Sequence, residues 1–354
     1  MPSKRPVPKA ARKRINLALQ GGGSHGAFTW GVLDRLLEEE WLEIAGVSGT
    51  SAGAMNAVAL AAGLMDGGRV GARTALRRFW ERVADASPFA MLYNGPMASF
   101  IGPDNPWFQP WFTPWQQAAQ SVGNPFSPYQ FNPLNLNPLR DILADTVDFA
   151  RVRDCTRTQL FIAATRVSTG VLQVFRQDEL TADMVLASAC LPLLFQAVVI
   201  QGEAYWDGGY AGNPALLPLI SETDADDLLL VPINPQRREQ VPTLAGDILD
   251  RVNEVTFNAS LLKELRTIAL LKELLQDAGR PDSAYRQPLF RRVDNLRLHR
   301  LDADAELSRF GASSKLQTDL GLLLQLHAIG RRTAHDWLQS HADDIGRRSS
   351  AAFD

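Results

Sequence analysis

The sequence predicts an α/β fold: a mainly parallel sheet with helices on both of its faces. Three observations carry that expectation. Residues 15–20 form a short apolar run that stops at a cluster of glycines. A helical pattern follows over 27–40, with Phe28, Trp30, Leu33, Leu36 and Leu37 on one side. A second apolar run, 42–47, then stops at Ser48-Gly49, and an uncharged, alanine-rich helical run covers 52–65. A strand–helix–strand–helix start gives parallel strands whose connecting helices pack back on the sheet.

The remaining elements follow in order. Residues 70–83 read as an amphipathic helix with Leu76, Phe79, Trp80 and Val83 inside. The composition changes over 87–138, where prolines recur among Trp107, Trp111, Trp115, Phe108, Phe112, Phe126, Tyr129 and Phe131. That insertion is too long for a plain connection. It reads either as a cap with its own small aromatic core or as a lid beside a binding crevice. A helix resumes at 139–147. Buried strands are expected at 159–165 and, paired beside it, 171–175; a helix spans 178–189; further strands cover 197–200 and 228–233. Beyond residue 240 the chain is mostly helical, over 244–275 and 315–340, with a last strand near 296–301. Arg266, Lys272 and Glu273 read as a solvated helix face. One domain over 15–340 is therefore expected, with the insertion at 87–138 and a helical part at 241–340. A disordered basic tail precedes it (1–14) and a second tail follows it (341–354), disordered from Arg347 to Asp354.

Composition excludes several function classes. The 354 residues are 45% apolar and 21% charged, as in an ordinary globular protein, and the net charge of −3 favours no nucleic-acid partner. Two cysteines, Cys155 and Cys190, are too few for a disulfide framework and fall in apolar runs. The five histidines are scattered, so no metal site is expected. The uncharged stretches 45–65 and 184–202 are long enough to resemble membrane spans, but the first is rich in Gly, Ser and Asn and the second contains Pro192. No signal-peptide pattern precedes the first strand, which leads to a cytoplasmic expectation.

Three stretches bear chemistry. Gly49-Thr50-Ser51-Ala52-Gly53 has the form G-x-S-x-G between a strand and a helix, the pattern of a nucleophilic serine on a sharp turn. The helix that starts there aims free N–H groups and its positive dipole end at the serine. Gly21, Gly23 and Gly26 also fit the dinucleotide fingerprint G-x-G-x-x-G, but the second strand ends in Val47-Ser48-Gly49 with no carboxylate to hold a ribose. A loop whose amides converge on an oxyanion fits better. Asp207 leaves a strand and is followed at once by Gly208 and Gly209.

In this order, the loop 21–26, the Ser51 elbow and Asp207-Gly208-Gly209 together resemble the patatin-like phospholipase family, over roughly residues 15–235. The run Ala187-Ser188-Ala189 to Pro192, with Phe195, is similar to the family's usual approach to its aspartate. The resemblance implies a three-layer α/β sandwich and a lipid acyl hydrolase or esterase without metal or cofactor. It implies Ser51 as nucleophile, Asp207 as its base, and Gly21, Gly22 and Gly23 as oxyanion donors. Gly26, Gly49, Gly53, Gly208 and Gly209 then shape the turns. One position departs: where the family often carries Arg or Lys near the end of the glycine loop, this chain has His25. A histidine is a weaker permanent charge, which tilts the expected substrate from phospholipids toward short-chain or hydroxyalkanoate-type esters. His25 is expected to order the loop rather than act as a base. The expected partners are a lipid or ester substrate and a membrane surface met transiently, with oligomerisation left open. The rival from another class is a non-catalytic lipid-binding protein using the aromatic insertion.

Overall fold

The structure, a computed structural model, describes residues 12–86, 127–238, 240–277 and 287–353. β1 (Lys13–Leu19) runs into the glycine loop and α1 (Gly26–Leu36), followed by β2 (Leu42–Gly49) and α2 (Ala52–Asp85). After α3 (Pro138–Thr146) and α4 (Phe149–Arg153) come β3 (Gln159–Arg166), β4 (Leu172–Arg176) and α5 (Ala182–Ser188). Next are β5 (Val198–Ile200), β6 (Glu203–Asp207), α6 (Leu217–Glu222) and β7 (Asp227–Val231). The last large elements are α7 (Ala245–Asp277), α8 (Pro288–Asn295), β8 (Arg297–Arg300) and α9 (Leu320–His341).

The strands form one sheet in the order β5-β6-β3-β2-β1-β7-β8, with β4 also on β3. β3, β2, β1, β7 and β8 are mutually parallel, and the antiparallel pairings involve only β4, β5 and β6. Side chains alternate across a strand, so each central strand feeds two cores. Leu17 and Leu19 of β1, with Leu229 and Val231 of β7, join α1, α2 and α9 on one face. Ala18, Leu228 and Leu230 join Leu219, Leu261, Leu265 and Ile268 on the other. Burying a leucine of this kind contributes roughly 1.5–3 kcal/mol, and both faces of the central strands are filled. The three-layer α/β sandwich with a mainly parallel sheet is thus the observed architecture.

Register explains how distant stretches meet. Along β3, residues 159–162 pair with β2, ending at Gly49↔Ile162. Residues 164–166 pair with β6, beginning at Ala164↔Asp207. β4 pairs with 161–165 and so overlaps both. It must lie on the opposite edge, which leaves β2 and β6 head to head on one edge of β3. Their C-terminal ends, carrying Gly49 and Asp207, are two residues apart along β3.

Several element boundaries differ from the sequence expectation. The helices expected at 52–65 and 70–83 are one helix kinked at Gly67 and Gly68, which have non-helical backbone. The helix expected at 178–189 is a 3₁₀ turn at Gln177–Glu179 followed by α5, whose first turn is capped by the Thr181 hydroxyl. The last helix starts at Leu320, where the Asp319 carboxylate accepts from the Leu322 amide, rather than at 315. Lys13 and Arg14 belong to β1 instead of a disordered tail: Lys13 Nζ donates to the Ala342 carbonyl and Arg14 pairs with Glu43. Residues 1–11 of the expected basic tail lie outside the described residues.

Lys272 is not on a solvated face. Its ammonium donates to the carbonyls of Val293 and Leu296, closing the end of α8. The C-terminal tail is also ordered: the Ser350 and Ala351 amides donate to the Leu298 carbonyl, and Phe353 packs on the second core. Most of the insertion, 87–126, lies outside the described residues, and with it the choice between cap and lid. Its described remainder makes one helical turn at Pro128–Phe131 and ends at α3. Among the described residues no helix is long and apolar enough to cross a membrane.

Candidate active site

Ser51 and the glycine loop lie at the C-terminal ends of the parallel strands, where α/β sheets hold their ligands. β2 ends at Gly49, and Ser51 stands between it and α2 with φ 53° and ψ −119°. A non-glycine residue in that left-handed region is strained, and surrounding contacts must hold it there. They are visible on both sides. The Ser51 amide donates to the Ser188 hydroxyl at 2.9 Å, and the Thr50 hydroxyl donates to the Gly212 carbonyl at 2.7 Å. Close packing needs small neighbours: a Cβ on Gly53 would lie 2.2 Å from the Leu19 carbonyl oxygen, and one on Gly49 would lie 2.6 Å from the Gly53 backbone.

Asp207, at the end of β6, is 1% exposed. Its Oδ1 accepts from the Gly209 amide at 2.7 Å in the tight turn that Gly208 and Gly209 make. Its Oδ2 is buried and makes no full hydrogen bond. Burial pushes the carboxyl up to about 7; the Gly209 amide and the Ser51 side chain pull in the opposite direction. The Ser51 side chain is thus near enough to pull the carboxyl's pKa down, although Oδ2 makes no hydrogen bond of ordinary geometry. The fold brings Ser51, Asp207 and the glycine loop together.

The three loop glycines are not equivalent. The Gly21 amide donates to Asn213 Oδ1 at 2.6 Å, so it is already committed and is not an oxyanion donor in this arrangement. Gly21 instead allows a close approach, since a Cβ there would lie 2.8 Å from Ser51 Cβ. The amides of Gly22 and Gly23 donate to no acceptor among the described residues. Gly23 has φ +59°, which glycine adopts without penalty. Ala52, the first residue of α2, adds an amide that the helix itself cannot satisfy.

His25 is 1% exposed and holds the loop rather than the reacting atoms. Its Nε2 is 2.7 Å from Ser314 Oγ, and its ring stands edge-on to Phe310. Burial, with Lys315 nearby, pushes its imidazole down to about 3, so it is neutral at ordinary pH. Gly26 opens α1, and its carbonyl accepts from Asn56 Nδ2.

Several residues that hold the loop and the elbow are not singled out by the sequence. Asn234 Nδ2 donates to the Gly21 carbonyl at 2.8 Å, and Gln20 Oε1 accepts from the Ile233 and Asn234 amides. Gln20 and Asn234 are the polar residues that end two apolar strands at the crevice end of the sheet, and that position was a usable signal. Asn213 and Ser188 sit in unremarkable sequence and are placed by tertiary structure alone. Among the described residues, no group of three or more His, Cys, Asp or Glu side chains could hold a metal ion.

The family model of the patatin-like phospholipases matches residues 17–220. No curated protein matches the chain. Among solved structures, that of VipD from Legionella pneumophila is similar at 16% identity and a TM-score of 0.36, over 90% of this chain and 67% of that one.

Proposed function

The chain belongs to the patatin-like phospholipase family, and on that premise we propose that it is a serine acyl hydrolase that cleaves lipid esters through Ser51 and Asp207. One observation carries the reading: a strained serine on a strand-to-helix elbow interacts with a buried carboxylate that has one unpartnered oxygen. In the first half-reaction Asp207 Oδ2 takes the Ser51 proton as Oγ attacks the ester carbonyl carbon. The resulting oxyanion is held by the amides of Gly22, Gly23 and Ala52. Collapse breaks the bond to the alcohol, which leaves with the proton from Asp207. Water then attacks the acyl-enzyme, giving its proton to Asp207, and collapse frees the acid and returns the proton to Ser51 Oγ.

A carboxylate of ordinary pKa is a weak base for a hydroxyl. A value near 7 brings Asp207 close to the pH at which a general base is most effective. A fluorophosphonate probe tests the reading. Labelling is expected at Ser51, with loss of labelling and of p-nitrophenyl ester hydrolysis in Ser51→Ala. Labelling at another serine, or unchanged ester hydrolysis in Ser51→Ala, would overturn it.

A further inference from the structure

α7 is apolar on two faces. On its inner face Leu261, Leu265 and Ile268 fill the second core. A second row runs along its outer face, from Leu244 to Leu270, in steps of three and four residues. Leu244, Ile248, Val252, Val255 and Leu270 in this row are between 43% and 69% exposed. A groove of about 470 Å³ follows the row, lined by Val255, Ala259, Leu262, Arg266 and Leu270 among others. An exposed apolar row of this length marks an interaction surface. Its steps read the same from either end, about the level of Phe257. A helix with such a row can therefore meet its own copy, laid antiparallel, row against row.

We infer that this face is a self-association surface, on which α7 of a second copy lies antiparallel about a two-fold axis level with Phe257. In that register Val255 meets Ala259 of the other copy, Val252 meets Leu262, Ile248 meets the stem of Arg266, and Leu244 meets Leu270. Each contact is made twice, as in any isologous pair. The small Ala259 beside the axis lets the helices approach closely. Charge selects the direction. Asp247 adjoins Ile248, so the antiparallel register brings Asp247 of each copy to Arg266 of the other. A parallel copy would set like charges together. Among the described residues no ion pair engages Asp247 or Arg266, while the neighbouring Arg238 and Arg251 are taken by Glu254. Arg251 and Lys263 come level in this register but lie on opposite flanks of the row, so they do not meet. The inner side of the central turn supports the crevice: the Phe257 carbonyl accepts from Asn213, and Asn258 accepts from Gln20. A second copy thus braces the helix on which those two residues rest.

Sedimentation equilibrium of the full chain, from nanomolar to high micromolar concentration, tests this. The wild type should show a monomer–dimer equilibrium. Val255→Asp buries an unpaired charge at the axis and should raise the dissociation constant about a hundredfold or more. Its melting curve in dilute, monomeric samples should match the wild type, because Val255 is exposed in the single chain. Asp247→Arg and Arg266→Asp should each weaken the dimer about tenfold, and the double variant should return to within about threefold of the wild type. A chain that stays monomeric throughout, or a dimer that Val255→Asp leaves intact, overturns the inference. A double variant weaker than either single one overturns the antiparallel register. A monomer that binds phosphatidylglycerol vesicles, and loses that binding in Val255→Asp, makes the row a lipid-facing surface and overturns self-association. None of these readouts depends on Ser51, so they decide the surface whether or not the chain hydrolyses esters.

Discussion

In the proposed mechanism Asp207 sets the pH response at the scale of single residues. As the proposed base it works only when ionised, and burial pushes its carboxyl up to about 7. Ester hydrolysis should therefore rise with pH through about 7, with kcat/KM falling close to tenfold per pH unit on the acid side; a profile flat down to pH 5 would contradict this. The same shift affects stability with the opposite preference. The folded-state pKa is raised above the ordinary 3.8, so between about pH 4 and 7 the folded chain binds more protons than the unfolded one. The contribution is complete below about pH 4 and is lost as pH rises through 7. Asp207→Asn keeps the shape and the acceptor for the Gly209 amide but removes the charge. It should abolish most hydrolysis, by a factor of about 10² to 10⁴ for a lost general base. It should also raise the melting temperature at pH 8 and not at pH 4. The stabilisation is bounded on the order of 4 kcal/mol by the size of the shift. Melting curves at the two pH values decide it.

At the scale of elements, the elbow and the loop are held by contacts from segments distant in sequence. Ser188, the last residue of α5, is fully buried and accepts the Ser51 amide. Ser188→Ala leaves that amide unsatisfied beside a strained backbone, which costs roughly 1–3 kcal/mol. Fluorophosphonate labelling should slow about tenfold or more in this variant. Gly23→Ala is more severe, because a Cβ meets the Lys315 carbonyl and the left-handed φ is disfavoured; lost labelling with a lowered melting temperature is expected. These cases mark what the sequence could tell. Ser51 and the Asp207 turn were legible because each is a local device: a strand end, a tight turn, small residues at fixed spacing. Gly21 reads as an oxyanion donor in sequence, but its amide donates to Asn213, a residue brought there by the chain's return across the sheet. Lys272 looked solvated because its acceptors are the carbonyls of a helix end that only tertiary packing supplies.

For the whole molecule, the sheet has a working end and an anchored end. The crevice lies where β1, β2 and β7 finish. At the start of β7, Asp227 accepts from His299 and from the Gly346 amide and pairs with Arg297. Ser350 Oγ lies 2.9 Å from His299 Nδ1, the Ser349 hydroxyl accepts from the Leu298 amide, and Phe353 packs on the second core. The tail reads as solvated from Arg347 onward because its basic and serine residues carry no apolar period; its partners lie on edge strand β8. Ending the chain after Ile345 removes these contacts and leaves Asp227 and His299 buried with fewer partners. Each lost hydrogen bond to a buried charged group is worth roughly 1.5–3 kcal/mol, so the melting temperature should fall by several degrees or more. Because the anchored end is opposite the crevice, the truncated protein below its own melting temperature should keep Ser51 labelling and kcat/KM within about twofold of the full chain. Measured side by side, a large kinetic loss without a stability loss would show that the two ends of the sheet are coupled, contrary to the separation argued from the strand directions.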